Sequence, residues 1–205
     1  MSIDLNLNED EELLRSTALD FLRKDAPKDV VEKLLDTETG VTDKLWKTTV
    51  DLGWQGIIIP RQYDGTEFSL TSAGALYEAL GTAPLPGPHF SSGILASLIL
   101  IEAGSKEQKE QYLPAIAKGE QILTLALTED DASWDPGSIS VSASSKAGKF
   151  VLNGTKLFTM DAAAANTLIV VARTDKSSKG AAGLSMFLVD TEAPGVTVQQ
   201  QTGFM

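Results

Sequence analysis

The sequence predicts an α+β fold, an all-helical N-terminal domain followed by an antiparallel β-barrel-like domain, and three observations carry that expectation. Up to Glu120, apolar residues recur at helical spacing. Beyond it, short alternating runs rich in Thr, Val and Ser have the period of half-buried strands. The helical runs all precede the strand runs, which argues for two segregated units, 1–120 and 121–205, and against alternating βαβ.

Taking the elements in order, Asn8 with Glu11 three residues on is a capping-box pattern that opens the first helix. Glu9, Asp10 and Glu11 suit its positive end, and Leu13, Leu14, Ala18, Phe21 and Leu22 form its expected inner face. Pro27 interrupts it, and a short helix over Lys28 to Leu35 follows. Thr42 opens a third helix, with Leu45, Trp46, Thr49 and Val50 inward and Gly53 as its stop. Trp54 to Gly65 breaks the helical pattern, ending in an Asp64-Gly65 turn. Ser69 or Thr71 starts the next helix. Pro84, Pro86 and Pro88 favour an extended connector. Ser91 to Ala103 reads as a buried central helix, and Ser105 with Gln108 caps the last one.

The second half reads as Ile122–Thr128, then Ile139, Val141 and Ala143 alternating with serines. Lys149–Leu152 and Thr155–Phe158 flank Asn153-Gly154, a strong hairpin signal. Thr167–Arg173, Leu184–Val189 and a weaker Val196–Gln200 complete the expected strands. The run from Lys176 to Gly183 reads as a flexible loop.

Composition narrows the chemistry. Seventeen Lys+Arg against 28 Asp+Glu leave a net charge of −11, a poor match to nucleic acid, which is held by clustered cations. With no cysteine, disulfides, thiolate metal sites and a Cys nucleophile are excluded. The single histidine, His89, rules out multi-histidine metal centres within one chain and reads as a structural or surface residue. The longest near-apolar stretch, Ile94 to Ile101, is too short for a membrane span. The start, Met1-Ser2-Ile3-Asp4, has no basic-then-apolar leader, so a cytoplasmic location is expected. Asp130, Asp131 and Asp135 lack calcium-loop spacing and read as a solvated loop. Neither a dinucleotide nor a nucleotide-phosphate glycine fingerprint is present.

Several segments nonetheless resemble one family in order and spacing. Leu52-Gly53-Trp54-Gln55-Gly56-Ile57-Ile58-Ile59-Pro60 with Tyr63-Asp64-Gly65 is the first. Glu78-Ala79-Leu80-Gly81 and Gly104-Ser105-Lys106-Glu107-Gln108 with Tyr112-Leu113-Pro114 and Gly119-Glu120 come next. Ala126-Leu127-Thr128-Glu129, Leu152-Asn153-Gly154-Thr155-Lys156-Leu157-Phe158 and Phe187-Leu188-Val189-Asp190 complete the set. Together they resemble the acyl-CoA dehydrogenases.

The resemblance implies a helical domain, a middle β-domain and a C-terminal four-helix domain, with FAD between the last two. It also implies a reaction, α,β-desaturation of an acyl-CoA thioester. A glutamate removes the α-proton while the β-hydrogen passes to the flavin as hydride. Hydrogen bonds to the developing enolate oxygen in a dry pocket lower that barrier. Electron-transfer flavoprotein is the implied electron acceptor, and a homo- or hetero-oligomer the implied assembly.

Carried over by position, the flavin strand falls on Leu125, Ala126, Leu127 and Thr128, whose hydroxyl can donate to the ring. Phe158 matches the aromatic that packs on the flavin. Trp134 stands where the family has a small serine of a Gly-Ser-Asp run, and offers one indole N–H. Met160 and Asp161 replace a hydroxyl residue and an asparagine, with Thr159 one position off. The four-helix domain that carries the glutamate matches nothing in this sequence. No catalytic residue is therefore assigned, and the 205 residues alone are expected to be inactive. A non-catalytic partner subunit of the same fold, or a flavin-dependent oxidase or monooxygenase of the superfamily, are the alternatives.

Overall fold

The computed structural model describes residues 6–35, 37–83, 85–175 and 177–201. It divides into two compact units, Met1–Glu120 and Gln121–Met205. The expectations for Met1 to Asp4, Pro84, Lys176 and Gly203 to Met205 lie outside the described residues.

In the first unit, α1 (Glu9–Lys24) is opened by the reciprocal capping box: Asn8 Oδ1 accepts from Glu11 N (2.9 Å) and Asn8 N donates to Glu11 (3.0 Å). The second Glu11 oxygen accepts from Ser72 Oγ at 2.9 Å, so the cap also ties α1 to α4 (Leu70–Leu80). Ala18, Phe21 and Leu22 are buried as expected, but Leu13 is 65% exposed and turns away from that face. Between them come α2 (Lys28–Leu35) and α3 (Asp43–Asp51), the latter capped by Thr42. Gly53 follows α3 with φ +76°, the left-handed conformation that ends a helix at little cost to glycine.

The Trp54–Thr66 excursion is a folded turn. Thr66 N, Glu67 N and Phe68 N donate to Gly56 O, Ile59 O and Ile57 O. Gly65 sits so close that a Cβ there would lie 1.9 Å from Ile59 O. The core of the unit gathers Phe21, Leu22, Val31, Leu34, Leu45, Trp54, Ile57, Leu76 and Ile94, among others.

The expected Ser91–Ala103 helix begins as a wide π-helical turn, Ser91–Ala96, and becomes α-helical in α5 (Ser97–Ala103). Ser97 Oγ donates five residues back to Ser92 O (3.0 Å), and Gly93 lets this turn press on Gln55. Finally α6 (Lys106–Ala117) carries the Ser105–Gln108 capping box.

The second unit holds a five-stranded sheet: β1 (Leu123–Ala126), β2 (Ser142–Lys146), β3 (Lys149–Asn153), β4 (Thr167–Arg173) and β5 (Leu184–Asp190). Its order is β1-β4-β2-β3 with β5 also on β4, and it is not closed into a barrel. Nor is it purely antiparallel, because β1 and β2 both pair with β4 in parallel. β4 is the spine: its full length pairs with β5, its first four residues pair with β1, and Arg173 reaches Ser142 of β2.

Two other expectations are corrected. The hairpin is made by Lys146–Lys149, with Ala147 and Gly148 both at positive φ, the twist-matched turn of antiparallel strands. Asn153 pairs with Ser142 instead of turning, and Gly154 lets the chain pass Val141, where a Cβ would come within 2.7 Å of its side chain. Residues 155–158 therefore run as irregular chain, not as a strand. Val196 to Gln200 is also irregular and mostly exposed. The alternation at Ile139, Val141 and Ala143 does hold, since all three are buried. A small core of Ala126, Val141, Ala143, Val170 and Ala172 fills the unit.

Candidate functional site

Of the residues singled out for a flavin, Leu125, Ala126, Leu127, Thr128, Phe158 and Thr159 lie at or beside the end of β1, and Trp134 does not join them. Leu125 and Ala126 close the strand, which is shorter than the expected Ile122–Thr128 because residues 127–129 leave β4. Along their flank runs the irregular segment 156–160. Leu157 N donates to Thr128 O at 2.8 Å, and Thr124 Oγ1 donates to Met160 O at 2.7 Å. These bonds bring Phe158 and Thr159 beside Thr128.

Phe158 has φ +53°, a conformation that costs a residue with a Cβ, and its side chain is 68% exposed. Met160 next to it is also exposed. Among the described residues, neither the Thr128 hydroxyl nor its N–H makes an intramolecular hydrogen bond. Trp134 is 84% exposed on the loop before Pro136, between tight turns closed by Asp131 and Asp135, and makes no hydrogen bond or ring contact with this group.

Beneath the strand end lies a buried ion pair, Glu129 with Lys156, two residues to which the motifs alone give no role. Glu129 is 4% exposed. It accepts from Ser140 N (2.8 Å), Ser140 Oγ, Val141 N (3.1 Å) and Lys156 Nζ (2.6 Å). Burial alone would raise its pKa, but these donors, Lys156 foremost, outweigh burial and pull it down to about 2. Lys156 Nζ also donates to Leu127 O at 2.9 Å. A separation of 27 positions between Glu129 and Lys156 kept this pairing from being legible in the sequence.

This donor set fits a flat, polar-edged aromatic group such as a flavin. Thr128 offers a hydroxyl and an N–H with no partner among the described residues, and Phe158 offers an exposed ring beside them. Glu129 is no candidate base, because its carboxylate is saturated and held ionised. Among the described residues no group of His, Asp and Glu could hold a metal ion, and no helix is long and apolar enough to cross a membrane.

A second polar cluster lies in the helical unit. Thr49 Oγ1 donates to Trp46 O (2.8 Å), so it can only accept from Gln55 Nε2 (3.4 Å). The same amide lies 2.9 Å from His89 Nδ1, which makes Nδ1 an acceptor and places the imidazole proton on Nε2. Gln55 Oε1 and His89 Nε2 are buried without partners. Burial lowers the His89 pKa to about 4, so the ring is neutral near pH 7.

A helical unit followed by a mixed five-stranded sheet defines a class of architecture, and comparison with known proteins gives it a family. Residues 8–120 match the family described as acyl-CoA dehydrogenase, N-terminal domain, and residues 124–204 match acyl-CoA dehydrogenase, middle domain. The chain belongs to the acyl-CoA dehydrogenase family.

It is 32% identical over 194 residues to a 3-(aryl)acrylate reductase of Clostridium sporogenes, covering 92% of this chain and 50% of that protein. It is 32% identical over 201 residues to an acyl-CoA dehydrogenase of Bacillus subtilis, covering 95% and 51%. Among solved structures, a glutaryl-CoA dehydrogenase of Mycobacterium smegmatis in complex with FADH2 superposes with a TM-score of 0.84 at 27% identity, covering 96% and 49%. The chain thus spans about half the length of the curated relatives it matches.

Proposed function

We propose that this chain forms the helical and flavin-facing portions of an FAD-dependent acyl-CoA dehydrogenase that introduces an α,β double bond into an acyl-CoA thioester. The observation that carries the reading is the pairing, at the end of β1, of Thr128 donors without partners among the described residues and a strained, exposed Phe158. When bound, FAD supplies the two-electron acceptor for the hydrogen leaving the acyl chain.

The chain's own part is positional. Leu125 to Leu127 would offer backbone to the ring, Thr128 would donate its hydroxyl and N–H to it, and Phe158 would pack on it. Trp134 and Thr159 border the same cofactor in this reading. The α-proton is assigned to a glutamate of a four-helix domain outside these 205 residues, since Glu129, the carboxylate at this strand end, is already held by four donors. Electron-transfer flavoprotein is the assigned oxidant, and the working protein a homo- or hetero-oligomer. The location assigned is cytoplasmic.

Titrating the chain with FAD while recording flavin absorbance and fluorescence tests this reading. The family resemblance puts FAD between this β-domain and a further domain, so the wild-type chain alone is expected to bind it weakly at most. Thr128→Val, which keeps shape and removes one donor, should weaken binding by about 0.5–1.5 kcal/mol. Unchanged affinity and spectrum in that variant would remove Thr128 from the site. The 205 residues alone should show no acyl-CoA-dependent reduction of an artificial acceptor, and turnover would overturn the assignment of the base elsewhere. Likeness to a reductase favours one second reading, the same site run toward reduction of an α,β-unsaturated acyl group.

A further inference from the structure

We propose that Lys156, held by Glu129, is a positioning residue that aims the Leu127–Thr128 peptide at the flavin; this rests on the flavin reading above. Merely filling space cannot explain the pair. Burying two charges costs several kcal/mol of desolvation per ion, and apolar side chains of similar size stabilise as well or better. What an apolar pair could not do is divide three ammonium protons between acceptors. Here Nζ donates to Glu129 Oε1 at 2.6 Å and to the Leu127 carbonyl at 2.9 Å.

That carbonyl shares a peptide plane with the Thr128 N–H. In a trans peptide the two point in opposite directions, so fixing Leu127 O toward the buried lysine drives the Thr128 N–H away from it. This is the N–H with no partner among the described residues. The following carbonyl, Thr128 O, is fixed in turn by Leu157 N at 2.8 Å, immediately before the strained Phe158.

Glu129 completes the clamp. Ser140 N, Ser140 Oγ and Val141 N anchor its carboxylate to the chain entering β2, so the lysine cannot swing toward solvent with its counter-ion. The ammonium therefore sets the direction of the Leu127–Thr128 peptide, and Leu157 N that of the next one, at a strand end that has already left its β4 ladder.

The test compares the full 205-residue chain with Lys156→Met, Lys156→Arg and the charge-balanced double variant Glu129→Gln with Lys156→Met. The double variant leaves no orphaned carboxylate should the single one fail to fold. Two readouts are needed: FAD affinity and absorption spectrum, and hydrogen exchange of the Leu157 amide relative to Ile169–Val171 in β4. Loss of the clamp should accelerate Leu157 exchange at least tenfold while β4 stays protected. It should weaken FAD at least tenfold and alter the flavin spectrum, and Lys156→Arg should recover part of both.

Unchanged Leu157 protection in the folded variants overturns the clamp, whatever the flavin does. Lost protection with unchanged FAD affinity and spectrum leaves the pair merely structural and overturns the positioning role. A wild-type chain that ignores FAD, with Leu157 protection still lost in the variant, instead removes the functional reading and upholds the clamp.

Discussion

His89 shows how a single side chain can be written into the sequence while its environment is not. The sequence supplies one histidine, after Pro88; only the fold buries it under Trp46, with ring centroids 5.6 Å apart, and hands its Nδ1 the Gln55 amide proton. Protonation would make both ring nitrogens donors and set Nδ1–H against that amide. The folded pKa, about 4, lies below the ordinary 6.5. Between those values the unfolded chain binds the extra proton, so this contribution is fully present above pH 6.5 and is lost as the pH falls to about 4. The difference is about 3 kcal/mol. With only one histidine, a single imidazole resonance followed by NMR reports the titration directly. A midpoint well below 5 is expected, and one near 6.5 would show the ring to be solvated.

At the scale of elements, Arg173 does work that neither propensity nor spacing announces. It closes β4, and its guanidinium donates to five backbone carbonyls: Ile139, Pro136, Ser178, Gly180 and Ala182. The 177–183 segment, a flexible loop by composition, is thereby pinned, as is the Pro136–Ser138 turn. The planar guanidinium carries five N–H donors in a fixed fork, two more than an ammonium has, and so can reach five carbonyls at once. Arg173→Met should cost about 2 kcal/mol in denaturant unfolding and make residues 177–183 the first site of proteolytic cleavage. Unchanged stability and cleavage pattern would show these bonds to be replaced by water. The helix caps at Asn8, Thr42 and Ser105, by contrast, were legible, and that at Ser69 as one of two candidates with Thr71. Each joins a short polar side chain to the N–H three residues on, and so needs no tertiary contact.

For the molecule as a whole, each unit gathers a core from its own residues: Ala18 to Ile94 in the first, Ala126 to Ala172 in the second. Residues 1–120 alone should therefore remain helical and unfold cooperatively on heating, read by far-UV circular dichroism. A broad, non-cooperative melt would show that the helical core needs the rest of the chain. The net charge of −11 has a bearing at the same scale, favouring solubility and disfavouring nucleic acid.

What the sequence determined by itself was the local and the periodic: helices before strands, caps, and the burial alternation at Ile139, Val141 and Ala143. These follow from interactions a few residues long, or from a repeat that any window displays. Tertiary structure decided the rest. β1 and β2 lie parallel to β4 because strand direction depends on how connections return, which alternation does not encode. The hairpin formed at Ala147-Gly148, not Asn153-Gly154, because Gly154 was needed where the chain crosses Val141. Glu129 found Lys156 only once the sheet had brought their segments together, and burial then turned an ordinary carboxylate and amine into a pair that neither can leave without exposing the other to an uncompensated charge.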